Sequence, residues 1–419
     1  GNCYKQIRQA NIFLANAKPI AANGTHVDVL TEEELIEMKA NVRFMRAYYH
    51  YLLFEQYGPI PLVKDAIYER DDDLDIPRSP IDEIIAYIDQ ELKEVSNELS
   101  QEALHEDDQH NAWPTKGVAL AVRAKLWVYA ASKLFNGEYK EALSITNPDG
   151  QRLFPDKDPG KWEKAVSALK DFMTFAEDEN NYELLENEEN PSQALYDLFQ
   201  TYNREIIWAT AANTWGGMDG DAFDRRCTPR SEQNGMGCIG VTQELVDDFY
   251  MKDGLPIQAT SYLPQSTLYT TEGFDKYTET VKAGSKEVQV ANNVSNRFLN
   301  REARFYNTVF FQNRRWHVTN NVTQFHKGSP NELSGTIYTH TGYMLYKRFN
   351  REVSMKSPGV QNKFRPSIIF RLADLYLLYA EAVNEIDPQD ERVLTYLNKV
   401  RQRAGLSNIE ELNPAIEGN

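Results

Sequence analysis

The chain has 419 residues, beyond the ~250–300 at which a single hydrophobic core stops growing, so two or three lobes are expected. Hydrophobic residues make up 41%, enough for a real core, yet no run approaches the ~18–20 apolar residues that a transmembrane helix needs. With 45 Lys and Arg against 62 Asp and Glu, the formal net charge is −17. That field disfavours nucleic acid and anionic lipid as partners and leaves neutral or cationic ligands open.

The first third reads as helices. Tyr4, Ile7, Ala10 and Leu14 keep roughly helical spacing until Pro19 ends the run. Thr31 followed by Glu34 is a capping-box signature, and Leu35, Met38, Val42, Met45, Tyr49 and Leu52 continue at steps of three and four. Arg43 and Arg46 on this helix are expected to pair with acidic neighbours, which makes the helix structural. Gly58, Pro59 and Pro61 stop it. Ser79, Pro80, Asp82 and Glu83 open a third helix with the apolar face Ile81, Ile84, Ile85, Ile88 and Leu92. Another runs from Thr115 to Phe135, closed by Gly137, and a further amphipathic stretch covers Trp162 to Phe175.

From about Asn180 the texture changes. Ile206–Thr210 and Phe305–Phe311 read as short strands, and Gln243–Tyr250 as an isolated helix before the Lys252-Asp253-Gly254 turn. Residues 255–300 and 312–366 show no sustained period. Unstructured connections of that length are uncommon unless they carry function. Helices return at Leu372–Glu385 and Arg392–Arg403. Small residues such as Ala119, Ala121, Ala124, Ala380 and Ala382 would let facing helices approach closely, which points to divergent helix–turn–helix repeats without a strict consensus. The expected fold is mainly α: a tetratricopeptide-like frame over 1–176, a loop-rich insert with short strands over 177–369, and a closing helix pair over 370–419 packed on the first region.

Chemistry-bearing motifs are missing. No HExxH, GxSxG or Walker loop occurs, so no enzyme and no cofactor is expected. His317, His326 and His340 share a loop-rich region, but their separations match no zinc spacing and they read as packing or surface residues. Asp219, Asp221 and Asp224 faintly resemble a calcium loop that lacks its closing bidentate Glu. The Asp71–Asp73 run with Asp75 reads as a solvated loop. Of the three cysteines, Cys227 and Cys238 could bridge, though an odd total argues for idle thiols. The opening GNCYKQIRQANIFL has no signal-peptide pattern.

Aromatic residues in the insert are the more informative signal. Trp215 sits between Asn213 and two glycines, Trp316 follows Arg314 and Arg315, and Tyr262 and Tyr269 lie in a Ser/Thr/Pro-rich stretch. Flat rings beside amides and charges suit sugars, whose C–H faces stack while hydroxyls accept and donate hydrogen bonds. The expected site is a shared platform of Trp215, Trp316, Tyr262 and Tyr269, with Arg314 and Asn213 as hydroxyl partners. Trp127 and Trp208, in apolar helical and strand contexts, are expected in the core.

Several segments together resemble the SusD/RagB family of outer-membrane nutrient-binding lipoproteins. They are VRFMRAYYHYLLFEQYGPIPLV at 42–63, TKGVALAVRAKLWVYAASKLFNG at 115–137, TQELVDDFYMKDGLPI at 242–257, RFYNTVFF at 304–311, and FRLADLYLLYAEAVNE with LNKVRQRAGL at 370–385 and 397–406. Their order spans nearly the whole chain. The family's leader, its lipid-attachment cysteine and its first helices have no counterpart here, and the stretch after RAGL is short, so a fragment or an atypically short member is expected. The resemblance implies a non-catalytic receptor on the outer face of the outer membrane, lipid-anchored in the full-length protein. It captures oligosaccharide for a TonB-dependent transporter, with peptide as alternative cargo. A helical scaffold that binds peptide and a carbohydrate-active enzyme are the competing readings.

Overall fold

The computed structural model describes residues 2–21, 29–69, 71–104, 110–211, 222–232, 234–257, 270–283, 286–332, 338–353, 363 and 365–412. In chain order the first helices are α1 (Asn2–Asn16), α2 (Glu32–Tyr57), α3 (Ile81–Val95), α4 (Lys116–Ala131), α5 (Gly160–Met173) and α6 (Pro191–Asp197). Strand β1 (Ile206–Ala209) is followed by α7 (Phe223–Cys227), α8 (Gln243–Asp248), β2 (Phe274–Ala283), β3 (Lys286–Ser295), α9 (Ala303–Thr308) and β4 (Val309–Phe310). The chain then forms β5 (Met344–Leu345), β6 (Ile368–Arg371), α10 (Leu372–Ile386), α11 (Glu391–Arg403) and α12 (Ile409–Leu412). The fold is mainly α with short strands, as the periodicity predicts. It divides into two compact units: Gly1–Glu183 with Arg204–Ala209 and Ile369–Leu397, and Leu184–Asn203 with Thr210–Ile368 and Asn398–Asn419. The division falls inside α11, where the sequence reading keeps 370–419 as one closing piece.

In the first unit each helix from α1 to α5 packs on the next, and α10 packs on α5. The local reasons are legible. Thr31 Oγ1 accepts from the Glu34 amide at 3.1 Å while Glu34 accepts from the Thr31 amide at 2.9 Å, so the capping box at the start of α2 is complete. Gly58 ends that helix at φ +67°, a left-handed conformation that glycine adopts without a Cβ penalty. Ile81, Ile84, Ile85, Ile88 and Leu92 form the buried face of α3, and Ala119, Ala121 and Ala124 of α4 are fully buried. Each such isoleucine or leucine contributes about 1.5–3 kcal/mol by leaving water. Trp127 and Trp208 lie in this core at 8% and 6% exposure.

Polar cross-links run between the helices. Arg43 reaches Glu91, Glu94 and Glu98 of the α3 region, and Arg46 donates to Glu91 at 2.7 Å and to Asn11 of α1 at 3.2 Å. The last turn of α5 widens into a π-turn at Thr174–Asp178, which brings Glu177 to accept from Tyr376 at 2.6 Å and Tyr396 at 2.8 Å.

The second unit departs from the sequence reading in two places. Phe305–Phe311 is not a strand throughout: Ala303–Thr308 is the short helix α9 and only Val309–Phe310 is extended. Its aromatic residues resemble a strand in composition, but burying Phe305 against Phe298 and Phe311 decides the backbone. Residues 255–300, without visible period, contain the antiparallel ribbon β2–β3, which pairs Phe274 with Ser295 through Ala283 with Lys286. Tyr277 and Val294 face its packed side together with the polar Glu279 and Asn292, which erases the apolar alternation.

Candidate ligand-binding site

Asn213, Trp215, Tyr262 and Tyr269 lie outside the described residues. The two platform residues that are described are buried. Trp316 is 2% exposed, with its indole edge-on to Phe310 at 5.3 Å and Phe349 at 5.1 Å. Arg314 is 8% exposed; its Nη1 donates to the Tyr306 and Val309 carbonyls at 2.7 and 3.0 Å, and its guanidinium lies 4.8 Å from the Tyr346 ring. An indole walled in by Phe310, Met344, Tyr346 and Phe349 has no face for a sugar. The expectation of Trp316 and Arg314 on a surface platform is therefore corrected: both organise a core. The misleading signal is local, because most of the side chains that cover Trp316 (Met344, Tyr346, Phe349 and Val353) come from a stretch without period.

The candidate metal residues are likewise committed elsewhere. Asp224 is fully buried against Arg365, and Asp219 and Asp221 lie outside the described residues. His317 packs on Trp316 with its Nδ1 3.0 Å from the Tyr346 hydroxyl. Among the described residues no group of three His, Cys, Asp or Glu could hold a metal ion. Cys3, Cys227 and Cys238 are free thiols, and burial raises the Cys227 thiol well above its ordinary pKa. No helix among the described residues is long and apolar enough to cross a membrane.

A concave site that sequence reading missed lies in the first unit. The described residues of 61–76, between α2 and α3, form no helix or strand, yet they are strapped onto α1 by three side chains spaced about one helical turn apart. Tyr4 donates to the Pro61 carbonyl at 3.0 Å, Arg8 Nε to the Tyr68 carbonyl at 3.0 Å, and Asn11 Nδ2 to the Lys64 and Ala66 carbonyls at 3.0 and 2.8 Å. Positions 4, 8 and 11 share one face of a helix, which is why one helix can hold the whole strap. Lys64 takes φ +54°, a left-handed conformation costing about 1–2 kcal/mol for a residue with a Cβ, and the Asn11 bond to its carbonyl offsets that.

Strap and helix line a half-open cavity of about 580 Å³ whose walls include Tyr4, Val63, Tyr68, Leu74 and Ile76. At its rim Arg8 pairs with Glu69 at 3.2 Å, both side chains exposed. Burial pushes the Tyr4 phenol up to about 12, so it remains a neutral donor to Pro61 at physiological pH. Asp71, Asp72, Asp73 and Asp75 are exposed beside this wall, with Asp72 accepting from the Glu69 amide at 2.7 Å and Asp73 from the Asp75 amide at 2.9 Å. The available sequence signal was Tyr68, Leu74 and Ile76, large apolar residues inside a run rich in charge.

The comparisons with known proteins fit this architecture. The model of the SusD family matches residues 204–418, and a second model, described as starch-binding and associating with the outer membrane, matches residues 1–128. Together they define an outer-membrane-associated class of binding protein. The chain belongs to the SusD family. No curated protein matches it. Among solved structures it is similar to BT4246 at 22% identity and a TM-score of 0.76, covering 98% of this chain and 72% of that one. A SusD-like protein, BF3747 from Bacteroides fragilis NCTC 9343, matches at 21% identity and a TM-score of 0.68, covering 99% and 69%. A laminarin-binding SusD-like protein matches at 17% identity and a TM-score of 0.53, covering 98% and 72%.

Proposed function

We propose that this protein is a non-catalytic glycan-binding receptor of the outer membrane that captures oligosaccharide for a TonB-dependent transporter. Membership of the SusD family carries the reading. Two further observations support it: the match at residues 1–128 to a model described as starch-binding, and a solved relative named for laminarin binding. In this reading the full-length protein is lipid-anchored on the extracellular face, and Asn213, Trp215, Tyr262 and Tyr269 contribute ligand contacts. Calorimetric titration with maltoheptaose and laminarihexaose tests the binding, and reducing-sugar release on long incubation tests the absence of catalysis. Saturable heat with no product is expected. No heat with either sugar, together with binding of a peptide library, would replace the glycan by a peptide. Pull-down of the anchored protein from outer membranes should bring a transporter barrel with it.

A further inference from the structure

Carbohydrate rings differ in how much C–H surface they expose, and this gives the cavity beside α1 a specificity. Its volume of about 580 Å³ falls in the usual range for small-ligand sites. The wall is pre-organised: Tyr4, Arg8 and Asn11 fix the strap before any ligand arrives, so little ordering entropy is lost on binding. Two tyrosines and the apolar side chains of Val63, Leu74, Ile76, Ala66 and Pro61 line the interior, while the groups that suit hydroxyls, Arg8 and Glu69, stand together at the rim. Such a site takes a ring that is apolar on its faces and polar around its edge.

We propose that this cavity is a carbohydrate subsite of the first unit selective for pyranoses with all substituents equatorial, the β-glucosyl class. This rests on the glycan-binding reading above and adds a sugar class to it. In a β-glucosyl residue every hydroxyl lies in the ring plane and both faces carry only C–H bonds. The faces pack on Tyr4, Tyr68, Leu74 and Ile76, and the equatorial hydroxyls meet the guanidinium donors of Arg8 and the carboxylate of Glu69 at the edge. An axial hydroxyl, as at C2 of mannose, would project from a face toward an apolar wall residue such as Val63 and gain no partner there. That penalty corresponds to about tenfold in affinity.

Cellotetraose and β-1,4-mannotetraose differ only at C2, and calorimetry with the two isolates this effect. Cellotetraose should bind about tenfold more tightly. Leu74→Asp places a charge in the cavity at a side chain already 63% exposed, so it should abolish cellotetraose binding with an unchanged melting temperature. Tyr68→Ala should weaken it about tenfold by removing the stacking ring. Equal affinity for the two tetrasaccharides, or cellotetraose binding untouched by Leu74→Asp, overturns the subsite. If either of those results comes with binding of maltoheptaose or laminarihexaose, the receptor reading stands and only the subsite falls. Failure of all four sugars to bind overturns both.

Discussion

Arg365 and Asp224 meet in a two-point ion pair from which water is excluded: Nη1 lies 3.1 Å from Oδ2 and Nη2 2.5 Å from Oδ1, with both side chains 0% exposed. The Arg348 carbonyl accepts from Arg365 Nε at 2.8 Å, so the guanidinium is held on several sides. Removing one member leaves the other charge buried without its two-point counter-ion. Asp224→Asn and Arg365→Met should each cost about 3–5 kcal/mol in urea unfolding, whereas Asp224→Leu combined with Arg365→Met should cost less than either. A double variant as unstable as the sum of the singles would remove the pair from its structural role.

His50 makes the first unit sensitive to acid. It is fully buried, with Nδ1 2.8 Å from the Arg46 carbonyl, and burial lowers its pKa from 6.5 to about 4. Between those values the unfolded chain binds a proton that the folded chain refuses. The stabilising contribution is therefore whole above pH 6.5 and is lost as pH falls toward 4, by about 2–3 kcal/mol. His50→Gln should flatten the difference between urea midpoints measured at pH 7 and pH 4. Parallel pH profiles for the two proteins would place the acid sensitivity elsewhere.

Trp316 carries the opposite expectation from that of a ligand platform. Truncation to Ala empties a packed aromatic cluster and should cost about 3–5 kcal/mol of stability. Calorimetric melting reads this directly. An unchanged melting temperature with weakened glycan binding would restore the surface role that its sequence context implies.

At Gly117 two effects compete. Gly117 is the second residue of α4, where alanine gains at most about 1 kcal/mol over glycine in propensity. A Cβ here, however, would stand 2.2 Å from the Tyr182 hydroxyl, which is buried and donates to the Ala103 carbonyl at 2.8 Å. Overpacking costs about 1–3 kcal/mol, so Gly117→Ala should be destabilising on balance. Adding Tyr182→Phe should recover only part of the loss, because the ring carbons Cε2 and Cζ would still stand 2.9 Å from the new Cβ; a stabilised single variant would show that Tyr182 can step aside.

How far the sequence could be read depended on where each side chain finds its partners. The helices of the first unit were legible because Ile84, Ile88 and Leu92 bury one stripe at helical spacing, and because Thr31 and Glu34 cap each other locally. The ribbon β2–β3 was not, since its inward positions mix Tyr277 with Glu279 and Asn292, whose polar groups are satisfied by distant residues such as Arg315 and by the facing strand. The cavity escaped for a related reason. Its shape comes from hydrogen bonds between α1 and a strap more than fifty residues away, and no local pattern encodes that pairing.

The widened turn at Thr174–Asp178 sets a rule for length rather than composition. Each residue of an α-helix advances the chain by about 100° around the axis, and one extra residue in the turn fixes which way everything after it faces. Glu177 meets the hydroxyls of Tyr376 and Tyr396 only in that phase. The exposed Thr174 and Asp178 can thus vary more freely than the length of the turn, because a chain shortened by one there would point the Glu177 carboxylate away from both tyrosines.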